Sequence, residues 1–449
     1  MRDKFEPTKR LVSLCLICLS VLGSHSHAQQ SIPGSTLEEF FSAAINFSPE
    51  LRIAAENLNI STARKNAARG QLLPQVSAGA NVSDNRLNQL GQSQTFDGQR
   101  YYLGLTQTLF NWRQFATRKQ TKFQENQAEE EYYYQLASIL TDVADRYFDI
   151  LQVEDALESI VSEEEALSNQ RDQVQSLFDR QMAQITDLYQ VQASLAAVQA
   201  EQLQLEAELA INQERLSSIS GLAVAPLNKL AADAQIPPLP EPQEYYVLKA
   251  QESNHLVQAQ KYALRAAEEG IAERRGAYMP EISLIAQRQD ADVGFDNLPM
   301  NRRDNTYIGL NFSIPIYAGG RNRAGVSEAY SLRNIAESQL RVSQLEAREF
   351  VRSAYLQIQA SDAQTEAAEV LVESTILTAE AMEQGFSLGT VTSVDVLNAL
   401  RDRFQAEREL QRIRYDHIRY LLLLKRETGT LSAEDLAQID DWLVSPGIE

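Results

Sequence analysis

Two stretches about 206 residues apart open alike and are followed by the same series of features. Leu73-Pro74-Gln75-Val76-Ser77 is answered by Met279-Pro280-Glu281-Ile282-Ser283, and Tyr102-Leu103-Gly104-Leu105 by Tyr307-Ile308-Gly309-Leu310. Further on, Phe178 with Asp187 returns at the same spacing as Phe386 with Asp395. A period near 200 residues is far too long for a solenoid or a propeller, whose repeats are about 20–50 residues. It means one large unit duplicated within the chain, each copy reading strand, loop, strand and then a very long helical stretch.

The helical reading rests on missing breakers. Leu105 to Ser220 contains neither Gly nor Pro, and Ile316 to Ser445 contains no Pro, although average usage would place several in stretches of that size. Within the first stretch Leu136, Leu140, Val143, Tyr147, Ile150, Leu157 and Val161 follow the three-four spacing of a coiled-coil seam, with Glu154 on one seam position. A second apolar track through Ile139, Tyr147 and Leu151 widens the stripe, so the helix packs against two neighbours. A helix from Arg113 to Asp179 would be on the order of 100 Å long, far longer than a globular domain is wide. Such a rod joins a coiled coil or lines a tube.

The stretches before the rods have period two. Val76, Ala78, Ala80 and Val82 alternate with Gln75, Ser77, Gly79, Asn81 and Ser83, while Ile308, Leu310, Phe312 and Ile314 alternate with Tyr307, Gly309, Asn311 and Ser313. These are strands with one apolar and one polar face. The pattern predicts strands near 73–86, 101–112, 280–290 and 306–317, with long polar loops at Leu87–Arg100 and Asp290–Asn305. Short helices are expected over Thr36–Ser48 and Gln243–Asn254, each followed by another (Pro49–Arg69, His255–Arg275). The Pro-rich join 236–242 reads as an extended linker between a first repeat, 29–235, and a second, 243–449.

At the N-terminus, Arg2, Lys4, Lys9 and Arg10 precede an apolar run from Leu11 to Leu22 and the small-x-small site Ser26-His27-Ala28. That is the pattern of a secretory signal peptide, 1–28, cut after Ala28. Both cysteines, Cys15 and Cys18, fall inside it, so no disulfide or thiol chemistry is expected. Its removal leaves 37 bases and 59 acids, a net charge of −22. Nucleic acid is disfavoured as a partner, since binding it needs a basic face. No later run approaches the length of a transmembrane helix, so an exported chain of this kind is either soluble or a membrane β-barrel.

Four strands cannot close a membrane barrel, which needs at least about eight. Yet strands with an apolar face and aromatic ends (Tyr101, Tyr102, Phe110, Trp112, Tyr307, Tyr317) suit one, so the strands must be shared among chains. Two protomers give eight strands, whose interior side chains fill; three give twelve and open a lumen wide enough to continue into the rods.

These features carry a family resemblance. The duplicated layout, the segment Pro315-Ile316-Tyr317-Ala318-Gly319-Gly320 leading into the second rod, the turn Phe386-Ser387-Leu388-Gly389-Thr390 before Asp395-Val396-Leu397, and the end Gly429-Thr430-Leu431 with Asp435-Leu436 and Trp442-Leu443 resemble the TolC-type outer-membrane efflux ducts over essentially the whole mature chain. The resemblance implies a mostly α fold with a β-barrel: a homotrimer whose twelve-stranded barrel, four strands per chain, continues into an α-helical tunnel across the periplasm. It also implies a periplasmic adaptor and an inner-membrane transporter as partners, outer-membrane lipid around the barrel, and passive export in place of chemistry.

In that family the periplasmic mouth closes where the rods turn back, ringed by acids. The corresponding turns run from Phe178 to Asp187 and from Phe386 to Asp395. Asp187 and Asp395 fall in the first turn of a returning helix, where a carboxylate is favoured by the macrodipole, so they suit helix capping, pore lining or both. The gate departs from better-known members at three positions: Val391 replaces a basic latch residue, Phe386 stands at a tyrosine-like position and Asn398 replaces a second ring acid.

No catalytic residue, cofactor or metal site is expected. His255 and His417 lie far apart in sequence, and there is no phosphate-cradling Gly loop or His-Glu-x-x-His pattern. Glu129-Glu130-Glu131 and Glu163-Glu164-Glu165 splay around a helix and read as solvated faces. The competing readings are a soluble periplasmic coiled-coil adaptor and a secreted hydrolase.

Overall fold

The computed structural model describes residues 33–231, 234, 236–292 and 303–444. The signal-peptide segment 1–28 and most of the 290–305 loop lie outside the described residues. The chain runs β1 (Pro33–Gly34), α1 (Leu37–Phe47), α2 (Pro49–Gly70), β2 (Gln75–Gln89), β3 (Gln92–Asn111), α3 (Trp112–Asp179) and α4 (Ile185–Ser220). Two short strands follow, β4 (Ala223–Val224) and β5 (Lys229–Leu230). The second series is α5 (Gln243–Ser253), α6 (His255–Gly276), β6 (Glu281–Asp292), β7 (Arg303–Ser313), α7 (Arg321–Ser387) and α8 (Ser393–Glu427), closed by α9 (Ala433–Asp440) and β8 (Leu443–Val444).

Matching helices have nearly equal lengths. α1 and α5 have 11 residues each and α2 and α6 have 22. α3 has 68 against 67 for α7, and α4 has 36 against 35 for α8. The starts are built alike as well: Ser48 caps α2 by accepting from the Leu51 N–H, and Asn254 caps α6 by accepting from the Val257 N–H.

The four long strands form one antiparallel sheet in the order β2-β3-β6-β7. Register places Val76, Leu105, Ala286 and Ile308 in one row and Ser77, Gly104, Gln287 and Tyr307 in the next. Directly paired residues share a face, so apolar side chains gather on one face and polar ones on the other, with Ile285 on the polar face and Arg288 opposite Leu103 as exceptions on β6. On the polar face the Tyr102 ring lies over Gly79, its partner across the ladder, and the Tyr307 ring lies over Gly309. A side chain at either glycine would displace the ring.

The first hairpin overturns one expectation. Residues 87–100 do not form a long loop: the ladder continues from Gln89 to Gln92 around a two-residue turn, Leu90-Gly91, both at positive φ (52° and 79°). Backbone pairing and a tight turn of matching twist hold a strand whose side chains are polar, and polarity had suggested a loop. At the other end β7 stops at Ser313, short of the expected 317, because Pro315 cannot donate to a ladder. Trp112, expected to end a strand, instead opens α3, whose start is capped by Asn111 accepting from the Gln114 N–H at 3.1 Å.

Below the sheet α2, α3, α6 and α7 pack side by side in the same order as the strands they continue. α3 and α7 run on to the far end and return as α4 and α8. Midway, a belt of α1, α9 and the short strand pairs β1·β4 and β5·β8 covers one face of α3. Its core is Phe40, Tyr147, Phe148, Leu151, Leu216 and Ile418, with Tyr147 edge-on to Phe40 at 6.1 Å. The buried Tyr147 hydroxyl donates to the carbonyls of Ser35 (3.1 Å) and Asn228 (3.0 Å), which removes the penalty of an unpaired polar group.

The two copies are one body, since α8 of the second is tied along α3 of the first. Arg408 donates to Glu163 (2.9 Å), Tyr415 to Asp155 (2.6 Å), Arg419 to Asp149 (2.6 Å) and Arg426 to the Thr141 hydroxyl (3.1 Å). Two acidic runs are therefore not wholly solvated: Glu163 is only 4% exposed, and Glu130 meets His255 Nδ1 at 2.8 Å. Among the described residues no helix is long and apolar enough to cross a membrane.

Candidate functional site

The two return turns have one backbone design. After α3, the Gln181 N–H bonds the Phe178 carbonyl and the Met182 N–H the Leu177 carbonyl, both at 2.8 Å. After α7, the Gly389 N–H bonds the Phe386 carbonyl (3.0 Å) and the Thr390 N–H the Gly385 carbonyl (2.9 Å). Both are Schellman closures, which place a left-handed residue just past the helix end. Gly389 fills that position in the second turn, and Gln181 fills it in the first with φ 62°.

The returning helices start with their acids used as caps. Thr392 and Asp395 form a reciprocal box: the Asp395 N–H reaches the Thr392 hydroxyl oxygen (3.3 Å), while the Asp395 carboxylate accepts from the Thr392 N–H (3.0 Å) and hydroxyl (2.6 Å). That hydroxyl, and then the N–H, hold the exposed Asp395 carboxyl below the usual carboxylate range. In the first turn the Gln184 N–H donates to the Asp187 carboxylate at 3.2 Å. Capping and a second role remain compatible, because each carboxylate has acceptor capacity left after these bonds.

Beneath both turns lies one apolar core. Val174, Leu188, Val191, Val396, Leu397 and Leu400 are buried in it, and the rings of Phe178 and Phe386 pack against it from the two turns. Both rings are only partly buried, so each contributes less than the roughly 1.5–3 kcal/mol of a fully buried side chain while tying its turn to this core. Phe386 is thus a packing residue in this protomer. Val391 lies so close to Gly385 that a Cβ there would meet its methyl, which makes it a second packing residue. Asn398 and Asp395 are exposed on α8, whereas Asp187 is half-buried.

The structure brings Phe386, Val391 and Asp395 into one turn and Asp187 into its counterpart, with Asn398 three residues beyond Asp395. Sequence reasoning missed Gln181, Gly385 and Thr392. The Thr-x-x-Asp spacing at Thr392–Asp395 is a capping-box signature that would have found the last. Exposed Met182 (73%) and Leu388 (79%) mark the tips of the turns and carry no pattern that sets them apart in the sequence.

A two-faced sheet with open edges, set on helices about 100 Å long that turn back over a shared core, defines an outer-membrane export channel. The chain belongs to the outer membrane efflux protein family, whose model matches residues 41–222 and 247–430. It is 27% identical over 440 residues to the outer membrane protein TolC of Vibrio cholerae serotype O1, covering 95% of this chain and 97% of that protein. It is 23% identical over 405 residues to the alkaline protease secretion protein AprF of Pseudomonas aeruginosa, covering 88% of this chain and 84% of the relative. The crystal structure of the outer membrane protein VceC from Vibrio cholerae has the same fold, with a TM-score of 0.76, 18% identity and coverage of 88% of this chain and 96% of that one. These matches decide against the soluble adaptor.

Proposed function

We propose that three copies of this chain close a twelve-stranded barrel and a continuous helical tunnel, loaded by an inner-membrane transporter through a periplasmic adaptor. The observation that carries the trimer is the open sheet: among the described residues β2 pairs only with β3 and β7 only with β6, so each protomer offers one unpaired edge on either side. Edges of this length are not left bare in lipid, where unsatisfied backbone groups are costly. Three sets of four strands give a barrel large enough for a lumen. The relatives named for TolC and for protease secretion support a duct for small molecules or proteins.

Met182 and Leu388 at the tips of the turns give a docking partner apolar anchors at the end farthest from the barrel, which suits an adaptor. Asp187 and Asp395, repeated around a threefold axis, would make a ring of six carboxylates that favours cations at the mouth. Native mass spectrometry of the detergent-extracted protein tests the assembly. The expected species is three chains with single-channel conductance in planar bilayers, and a monomer that leaves the membrane fraction without detergent would refute it.

A further inference from the structure

A groove of about 710 Å³ lies across α2, α3 and α6 just below the sheet. Its walls carry Lys65, Arg69, Arg118, Lys119 and Lys122 against a single acid, Glu269. Lys65 is paired with Glu125 (2.5 Å), whose charge Lys122 also feels, while among the described residues Arg69, Arg118 and Lys119 form no ion pair. In a chain with 61 acids and 41 bases such a cluster is not what composition would place there. Trp112 and Phe115 complete the upper wall, and Trp112 directly follows the last strand residue, Asn111.

The groove opens outward. Along α3, Trp112, Phe115, Lys119 and Lys122 occupy the same heptad positions as Leu140, Val143, Tyr147 and Ile150, four heptads further down. Tyr147 lies under the belt, held by the Ser35 and Asn228 carbonyls. A folded belt on the inner wall would plug a tube, so this face is the outer one. A straight helix drifts by about 80° over four heptads, which still leaves the groove on the outer half. Lys119 lies about 10 Å below Trp112 along the helix, at the depth of the lipid headgroups beneath a barrel.

We infer that this groove binds the phosphate headgroup of an anionic phospholipid of the inner leaflet, phosphatidylglycerol in chemical class, with Trp112 at the acyl boundary and Arg118, Lys119 and Lys122 on the phosphate. The inference rests on the barrel reading above. Cations beside a membrane attract anionic headgroups, and an interfacial Trp fixes depth. Cations left unpaired within one groove give the phosphate a local site in addition to a diffuse field.

The full-length protein is reconstituted in nanodiscs of phosphatidylethanolamine with a minor share of phosphatidylglycerol, and the lipid retained on stepwise delipidation is quantified by mass spectrometry. Wild type is expected to retain phosphatidylglycerol above its bulk share. Arg118→Gln with Lys119→Gln and Lys122→Gln should lower that enrichment severalfold, while Arg321→Gln with Arg323→Gln, in the first turn of α7 and outside the groove, should keep it. Should the triple variant fail to insert, Lys119→Gln alone is read by quenching of Trp112 by brominated phosphatidylglycerol in a Trp442→Phe background, where weaker quenching is expected. Retention at the bulk ratio, unchanged quenching, equal loss in the α7 control, or full displacement by inorganic phosphate would each overturn the lipid site. A wild-type chain that fails to enter discs would instead overturn the barrel reading.

Discussion

Gln181 and Gly389 hold the same position in the two return turns, both left-handed, with φ 62° and 72°. The backbone bonds around them match, so the two turns differ in cost: a non-glycine residue in this region carries about 1–2 kcal/mol of strain. Replacing Gln181 with Gly removes that strain and adds back about 0.5–1 kcal/mol of unfolded-chain entropy. The net expectation is a turn more stable by about 0.5–1 kcal/mol. Hydrogen exchange at the amides of Gln181 and Met182 reads it: protection should rise in Gln181→Gly, and Gly389→Gln should lower protection at Thr390. Unchanged protection in both variants would mean that the turns are held by the Phe178 and Phe386 packing alone.

Glu163 and Arg408 tie the first copy to the second at a depth where an unpaired charge is expensive. Removing the arginine leaves a buried carboxylate, so Arg408→Ala should destabilise the protein by about 3 kcal/mol, and adding Glu163→Gln should recover much of that loss. Burial raises the Glu163 pKa, and Arg408 only partly opposes the shift. A raised carboxyl pKa contributes stability that is fully present below the unfolded value, near 4.5, and is lost as pH rises through the folded value. Urea unfolding should therefore show wild type losing ground to Glu163→Gln with rising pH across that window. A parallel pH dependence in the two proteins would locate the titrating group elsewhere.

Much of this architecture was legible because its signals are repeated. The absence of breakers announced the rods, period-two alternation announced the strands, and the four-strand count announced an object that one chain cannot finish. The 92–100 strand was not legible, because its pairing comes from the backbone and the Leu90-Gly91 turn and not from an apolar face. Glu163 was misread for a related reason: three consecutive acids on a helix point in different directions, and which one meets α8 is decided by tertiary packing. At the second return turn, local sequence could place Asp395 in a first helical turn. It could not reveal that Phe386 and Val391 pack into the turn, since that depends on Gly385 and on the core shared with α4.

Leu310 and Asn311 are neighbours on β7 that face opposite sides of the sheet, with Leu310 opposite Leu284 and Asn311 opposite Ser283. If the apolar face meets lipid, Leu310→Arg should cost roughly 2–4 kcal/mol at mid-bilayer and reduce the amount of folded protein in outer-membrane fractions. Asn311→Arg faces the lumen and should assemble normally while changing conductance. Equal tolerance of the two would mark the sheet as water-exposed on both faces.

Asp187 and Asp395 both cap the returning helices, and if the return turns form the periplasmic mouth the two acids also set its charge. Asp395 is exposed, and its bonds to Thr392 favour the ionised form, so it keeps its charge to lower pH than an ordinary carboxyl. As a group with a lowered pKa it stabilises the turn above the unfolded value, and that contribution is lost as pH falls through the folded one. Asp187→Asn with Asp395→Asn keeps an acceptor oxygen for the Gln184 and Thr392 N–H groups, so the helices should still start and the trimer still form. Three copies of each neutralised site should weaken cation selectivity and reduce block by multivalent cations in single-channel recordings, because narrow low-dielectric walls focus the field of such a ring. Trimers of the double variant that conduct with wild-type selectivity would leave the two aspartates as caps only and place the pore's charge filter elsewhere.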